Sequence, residues 1–111
     1  MRLAVLADLH GSVTYLPATR ACLAGADAMV MAGDVTNFGD AEAAAHVIEA
    51  LSAVNPHIVA VHGNCDRPEV QTYLAGCDVG VHGQVRRLGD LTFLGVGGAL
   101  LGSGRTPNEA D

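Results

Sequence analysis

Lysine and tryptophan are absent from this 111-residue chain, and aromatic residues make up only 4% of it. The six basic residues are all arginines (Arg2, Arg20, Arg67, Arg86, Arg87 and Arg105); they are scattered, and against twelve acidic residues they leave a formal net charge of -6. A chain with a pI near 5.1 has no field to hold a polyanion by counterion release, which argues against a nucleic-acid partner. Cysteine is scarce and unpatterned. Cys22, Cys65 and Cys77 are odd in number and form no C-x-x-C pair, so neither a disulfide framework nor a zinc ribbon is expected. The apolar opening, residues 1–7, is broken by Asp8, far short of the ~20 residues of a membrane span. The chain therefore reads as cytoplasmic, with no membrane partner.

With so few aromatics, the core must come from Ala, Val, Leu and Ile, and 14 glycines and 4 prolines supply many tight turns. A hydrophobic fraction of 50% excludes disorder, and the length excludes two independent domains. A domain of this size buries only about 65% of its unfolded surface. A mean hydropathy of +0.30 is high for that, so the strands are expected to be covered by helices on both faces. Failing that, the sheet is covered by something outside this chain, such as an oligomer partner or a missing C-terminal half.

Residues 2–7, 28–32 and 57–61 are continuous apolar runs rather than alternating ones, the pattern of parallel strands. A helix between the first two has Pro17 in its first turn and Gly25 at its end. The second linker has Asp40 as N-cap, and Ala44, Val47, Ile48 and Leu51 share one helical face before Asn55-Pro56 ends it. The order is β-α-β-α-β, which predicts a parallel, right-handed α/β start. A short helix over 68–75, bounded by Pro68 and Gly76, follows. Then come short strands at 79–81, 84–88 and 91–96, the last two joined at Gly89-Asp90 as a hairpin, and a glycine-rich loop over 97–109.

Polar residues gather where the three apolar runs end: Asp8-Leu9-His10, Gly33-Asp34, and Gly63-Asn64-Cys65-Asp66. In open parallel sheets that rim is where ligands bind. If the backbone stays extended, Asp8 and His10 point to the same side. Glycine before Asp34 and before Asn64 lets the chain turn there. Two carboxylates about 4 Å apart repel by roughly 4 kcal/mol at an effective dielectric of ~20, and a divalent cation between them reverses the sign. Ordinary roles compete for several of these residues. Asp66 suits the cap of the helix beginning at Pro68, His62 a buried strand-end position, and Arg67 either a phosphate clamp or a solvated helix start. Cys65 can serve as a soft metal ligand. Residues 95–97 and 102–104 complete neither a dinucleotide fingerprint nor a P-loop.

Asp8-Leu9-His10-Gly11, Gly33-Asp34 and Gly63-Asn64-Cys65-Asp66, in this order and spacing, resemble the first three signature blocks of the calcineurin-like metallophosphoesterases. The later residues 81–83, the hairpin and the tail from Gly97-Gly98 to Thr106-Pro107-Asn108-Glu109 are similar to the small bacterial and archaeal phosphoesterases of that family. The resemblance implies a fold of two sheets with helices outside, a four-layer α/β/β/α sandwich, of which these residues form roughly half. It implies that Asp8 and His10 bind one metal, that Asp34 bridges two, and that Asn64 binds the second. It also implies a bridging hydroxide that attacks phosphorus in phosphomonoesters or phosphodiesters, with Asp34, Asn64 and Cys65 as the expected catalytic residues and Asn64 at the substrate, where Arg67 would be the neighbouring phosphate clamp. Two divalent ions are expected, Mn²⁺ foremost, with Fe, Zn and Ni acceptable to the same ligands.

The chain departs from the family in two ways. Cys65 stands where the family commonly has histidine, and a thiol with a reference pKa near 8.5 is a poor copy of imidazole. The Gly-His and Gly-His-x-His blocks that complete both coordination spheres in the family are missing. Residues 1–111 are therefore expected to be one domain, incomplete at its C-terminus, with weak activity or none alone. The rival reading is a catalytically inactive scaffold of the same fold that binds proteins.

Overall fold

The computed structural model describes residues 1–100 and 109–110. The chain runs β1 (Leu3–Leu6), α1 (Leu16–Ala24), β2 (Ala28–Ala32), α2 (Ala41–Ser52), β3 (Ile58–Val61), α3 (Pro68–Gly76), β4 (Val85–Leu88), β5 (Leu91–Leu94), β6 (Ala99–Leu100) and β7 (Glu109–Ala110). Strands β1, β2 and β3 form a parallel sheet in that order, with Leu3 opposite Ala28 and Met29 opposite Ile58. The expected mixed α/β start with a parallel sheet, followed by an antiparallel hairpin, is what the chain forms.

Local chemistry explains the helices. In α2 the Asp40 carboxylate accepts the Ala43 N–H at 3.1 Å, and the buried side chains are Ala44, Val47, Ile48 and Leu51, the face that the spacing predicts. Asn55, beyond its C-terminus, is buried and donates from its amide to the Leu23 and Ala26 carbonyls, tying the end of α2 to the end of α1. Helix α1 starts with proline in its first turn and is capped by Gly25. Helix α3 runs through Gly76, which the sequence reading takes as its stop, and is capped by Cys77.

One face of the sheet meets the helices. Met29, Met31, Ile58 and Ala60 join Val47, Ile48, Leu51, Val70 and Leu74 in the core, with Ala4 and Leu6 against it. The expectation that helices cover both faces of every strand fails at β1, where Leu3 is 39% and Val5 66% exposed. The exposed side chains of β1 belong to the face turned away from the helices, which nothing among the described residues covers there. The second face of β2 and β3 instead borders a groove of about 260 Å³ shared with Val81, Phe93, Leu94 and Val96.

The hairpin pairs Val85 with Leu94 and Leu88 with Leu91, and Gly89 takes φ +58 in its turn. The expected strand at 79–81 is reduced to a bridge between Gly80 and Ala60. The last strand of the hairpin stops at Leu94 rather than continuing to Val96. The tail read as a loop contains the short parallel pair β6–β7; its Gly102-Ser103-Gly104 and 105–108 segments lie outside the described residues. Among the described residues no helix is long and apolar enough to cross a membrane.

Candidate metal centre

The loops after β1, β2 and β3 meet at one rim, and their backbones are unusual there. Asp8, His10 and Asp34 have φ of +57, +50 and +51, so the expected extended stretch through Asp8 and His10 is replaced by left-handed turns. This conformation costs roughly 1–2 kcal/mol per non-glycine residue, and short polar side chains bear it best. Cross-loop hydrogen bonds hold it. Asp8 N–H donates to the Gly33 carbonyl at 3.2 Å, His10 N–H to that of Asp34 at 3.0 Å, and Gly11 N–H to that of Val35 at 2.8 Å. The loop after β1 is thus laid along the loop after β2, as an irregular extension of the sheet.

One ligand atom from each of His10, Asp34 and Cys65 lies within 4.8 Å of the others. Asp34 is buried and its Oδ1 accepts the Cys65 N–H at 2.9 Å, with the Asp8 carboxyl near enough to raise its pKa. Burial pushes the Asp34 carboxyl above its ordinary value. Asp8 and Asp66 push it further, while the Cys65 N–H and His10 pull it back. The Cys65 thiol is likewise pushed up, by burial and then by the charge of Asp34. An imidazole, a thiol and a buried carboxyl crowded by neighbouring carboxylates form a donor set that fits a divalent cation, because the ion reverses the repulsion.

Gly33 and Gly63 do different jobs. Gly33 takes φ +96, the turn expected of it. Gly63 begins the turn without a left-handed φ, its carbonyl accepting the Asp66 N–H at 3.2 Å, and it also makes room, because a Cβ there would stand 2.1 Å from Asp34 Oδ1 and 2.2 Å from Asp34 N. Asn64 is half-buried between Gly63 and Cys65, both of which touch Asp34. Arg67 is exposed, and its backbone N–H donates to the Gly39 carbonyl.

Asp66 overturns the cap reading. The N-cap of α3 is Arg67, with no side-chain cap bond. Asp66 is instead fully buried, and its two oxygens accept four hydrogen bonds: Thr36 N–H and hydroxyl on Oδ1, Val35 N–H and Gly63 N–H on Oδ2. It clamps the loop after β2 to the loop after β3. Thr36, which the sequence reading missed, passes the clamp on by accepting the Gly39 N–H; the Thr-x-x-Gly spacing is the signal for such a turn. His62 is 2% exposed, as its core reading requires, with its ring 4.7 Å from that of His82. Neither histidine belongs to the metal-capable group of His10, Asp34 and Cys65.

The comparisons agree with the motifs. Residues 1–98 match the family model described as the calcineurin-like phosphoesterase superfamily domain. An uncharacterised protein of Methanocaldococcus jannaschii, MJ1162, is 33% identical over 98% of this chain and 49% of its own length. Phosphodiesterase YfcE of Escherichia coli (strain K12) is 40% identical over 60% of this chain and 40% of its own length. The chain thus spans half or less of the length of these relatives. No solved structure gives a match.

Proposed function

This chain belongs to the calcineurin-like phosphoesterase superfamily, and we propose that residues 1–111 act as one domain carrying the metal-binding rim of a cytoplasmic hydrolase of phosphate esters. The observation that carries this reading is the convergence of His10, Asp34 and Cys65, with Asp8 against Asp34, at the ends of parallel strands. Asp8, His10, Asp34 and Asn64 would hold two divalent ions, Mn²⁺ foremost. Such ions supply Lewis acidity toward a phosphoryl oxygen and a water whose pKa falls from 15.7 to about 7. Asp34, oriented by the Cys65 N–H, keeps its carboxylate facing Asp8. Asn64 supplies a neutral amide donor at the phosphate and Arg67 a guanidinium. Cys65, with its thiol pushed up, is a weak hydrogen-bond donor at neutral pH rather than a nucleophile.

Calorimetry with Mn²⁺, followed by hydrolysis of p-nitrophenyl phosphate and its diester, tests this reading. In the full-length protein, Asp34→Asn is expected to abolish metal-dependent turnover and to weaken Mn²⁺ binding at least tenfold; near-full activity in the variant would refute the bridging role. Cys65 at the family's histidine position favours the scaffold reading, which Mn²⁺ binding without any turnover in the full-length protein would support.

A further inference from the structure

Among the described residues, Phe38 is the one large apolar side chain held in a left-handed backbone, with φ +60. Asp8, His10 and Asp34 share that conformation but are polar types that tolerate it; for a bulky residue it is an outlier that demands a reason. Core packing does not provide one, because Phe38 is 46% exposed. The backbone around it is nevertheless over-determined. Phe38 N–H donates to the Cys65 carbonyl at 2.9 Å, Gly39 N–H to Thr36 Oγ1 at 3.0 Å, and Arg67 N–H to the Gly39 carbonyl at 3.3 Å. Thr36 is itself anchored on buried Asp66. At Gly39 a Cβ would stand 2.6 Å from that of Ala43, so the loop is wedged against the first turn of α2.

The strained aromatic is thus one backbone hydrogen bond from Cys65, whose ligand atom belongs to the metal-capable group. An open cleft of about 400 Å³, lined by Gly11, Asp40, Glu42, Ala43 and His46, lies between the residue that follows His10 and the start of α2, whose cap Asp40 is two residues beyond Phe38 in the chain. An exposed ring on a loop whose backbone is bonded to that of Cys65 suits stacking, which needs a π-face but no hydrogen-bond match.

We propose that Phe38 is a specificity-determining shelf, and that the preferred substrate is a phosphate ester whose leaving group carries a flat aromatic ring. The assignment rests on the phosphoesterase reading of the adjoining centre. Phe38→Trp places a tryptophan in residues 1–111, which have none. At constant Mn²⁺ its fluorescence should be quenched by 5′-AMP or phenyl phosphate and left unchanged by ribose 5-phosphate; the first two probes separate a nucleobase from a simple aryl group. Phe38→Gly removes the ring and relieves the backbone, so it should fold. By calorimetry at the same Mn²⁺ it should lose about fivefold or more in affinity for whichever aromatic probe binds, with ribose 5-phosphate changed less than twofold. Equal changes for all probes, or none, in a protein that still binds Mn²⁺ would overturn the shelf alone. Failure of the centre itself looks different: the unaltered protein would bind no Mn²⁺, and the shelf would fall with it.

Discussion

At Gly63 a single missing atom separates a working loop from a blocked one. A Cβ would sit 2.1 Å from Asp34 Oδ1, so Gly63→Ala must displace either the carboxylate or the loop. Overpacking of this kind costs about 1–3 kcal/mol. We expect urea unfolding to register that loss, together with weaker Mn²⁺ binding, because the displaced group is Asp34. Asp66 is buried as well, and its requirement is charge symmetry. Each of its two oxygens accepts two hydrogen bonds. Asn offers only one accepting oxygen, so Asp66→Asn turns an NH₂ group toward two donors. Each buried group left unsatisfied costs about 1–3 kcal/mol, and a loss of about 2–5 kcal/mol in unfolding free energy is the expected result. Near-neutral stability would show that the clamp is dispensable.

At the scale of elements, α2 shows how far periodicity reaches. Its N-cap and all four buried side chains follow from spacing alone, because a helix repeats its contacts every three to four residues. Asp40→Ala should cost about 1 kcal/mol, seen as a lower urea midpoint with an unchanged slope. The loops that build the candidate centre lack such a repeat. Their left-handed turns at Asp8, His10 and Asp34 are held by partners some 25 residues away in sequence, which no local pattern encodes. The role of Asp66 is hidden from the sequence for the same reason. Its position before Pro68 suits a cap, whereas its actual partners lie 30 and 31 residues upstream, apart from nearby Gly63. The bridge at Gly80 and the pairing of β6 with β7 likewise depend on distant neighbours.

Over the whole molecule, the high mean hydropathy finds its place on the uncovered side of the sheet and on the hairpin. Val5 is 66%, Leu94 72% and Val96 80% exposed, large apolar side chains open to solvent. Val5→Thr combined with Val96→Thr should reduce binding of a hydrophobic fluorescent dye while changing unfolding free energy by no more than about 0.5 kcal/mol per site. Unchanged dye binding would place the apolar surface elsewhere.

Strand runs, helix faces, caps and the order of the three polar blocks were legible in the amino-acid sequence, because each arises from interactions within a few residues. The tertiary structure alone decided that the loops cross in left-handed turns, that Gly63 serves by lacking a side chain and that Asp66 is a clamp. It also decided that Phe38 is held out in solvent. Each of these depends on atoms brought together from different strand ends, where packing and hydrogen-bond satisfaction override local preference.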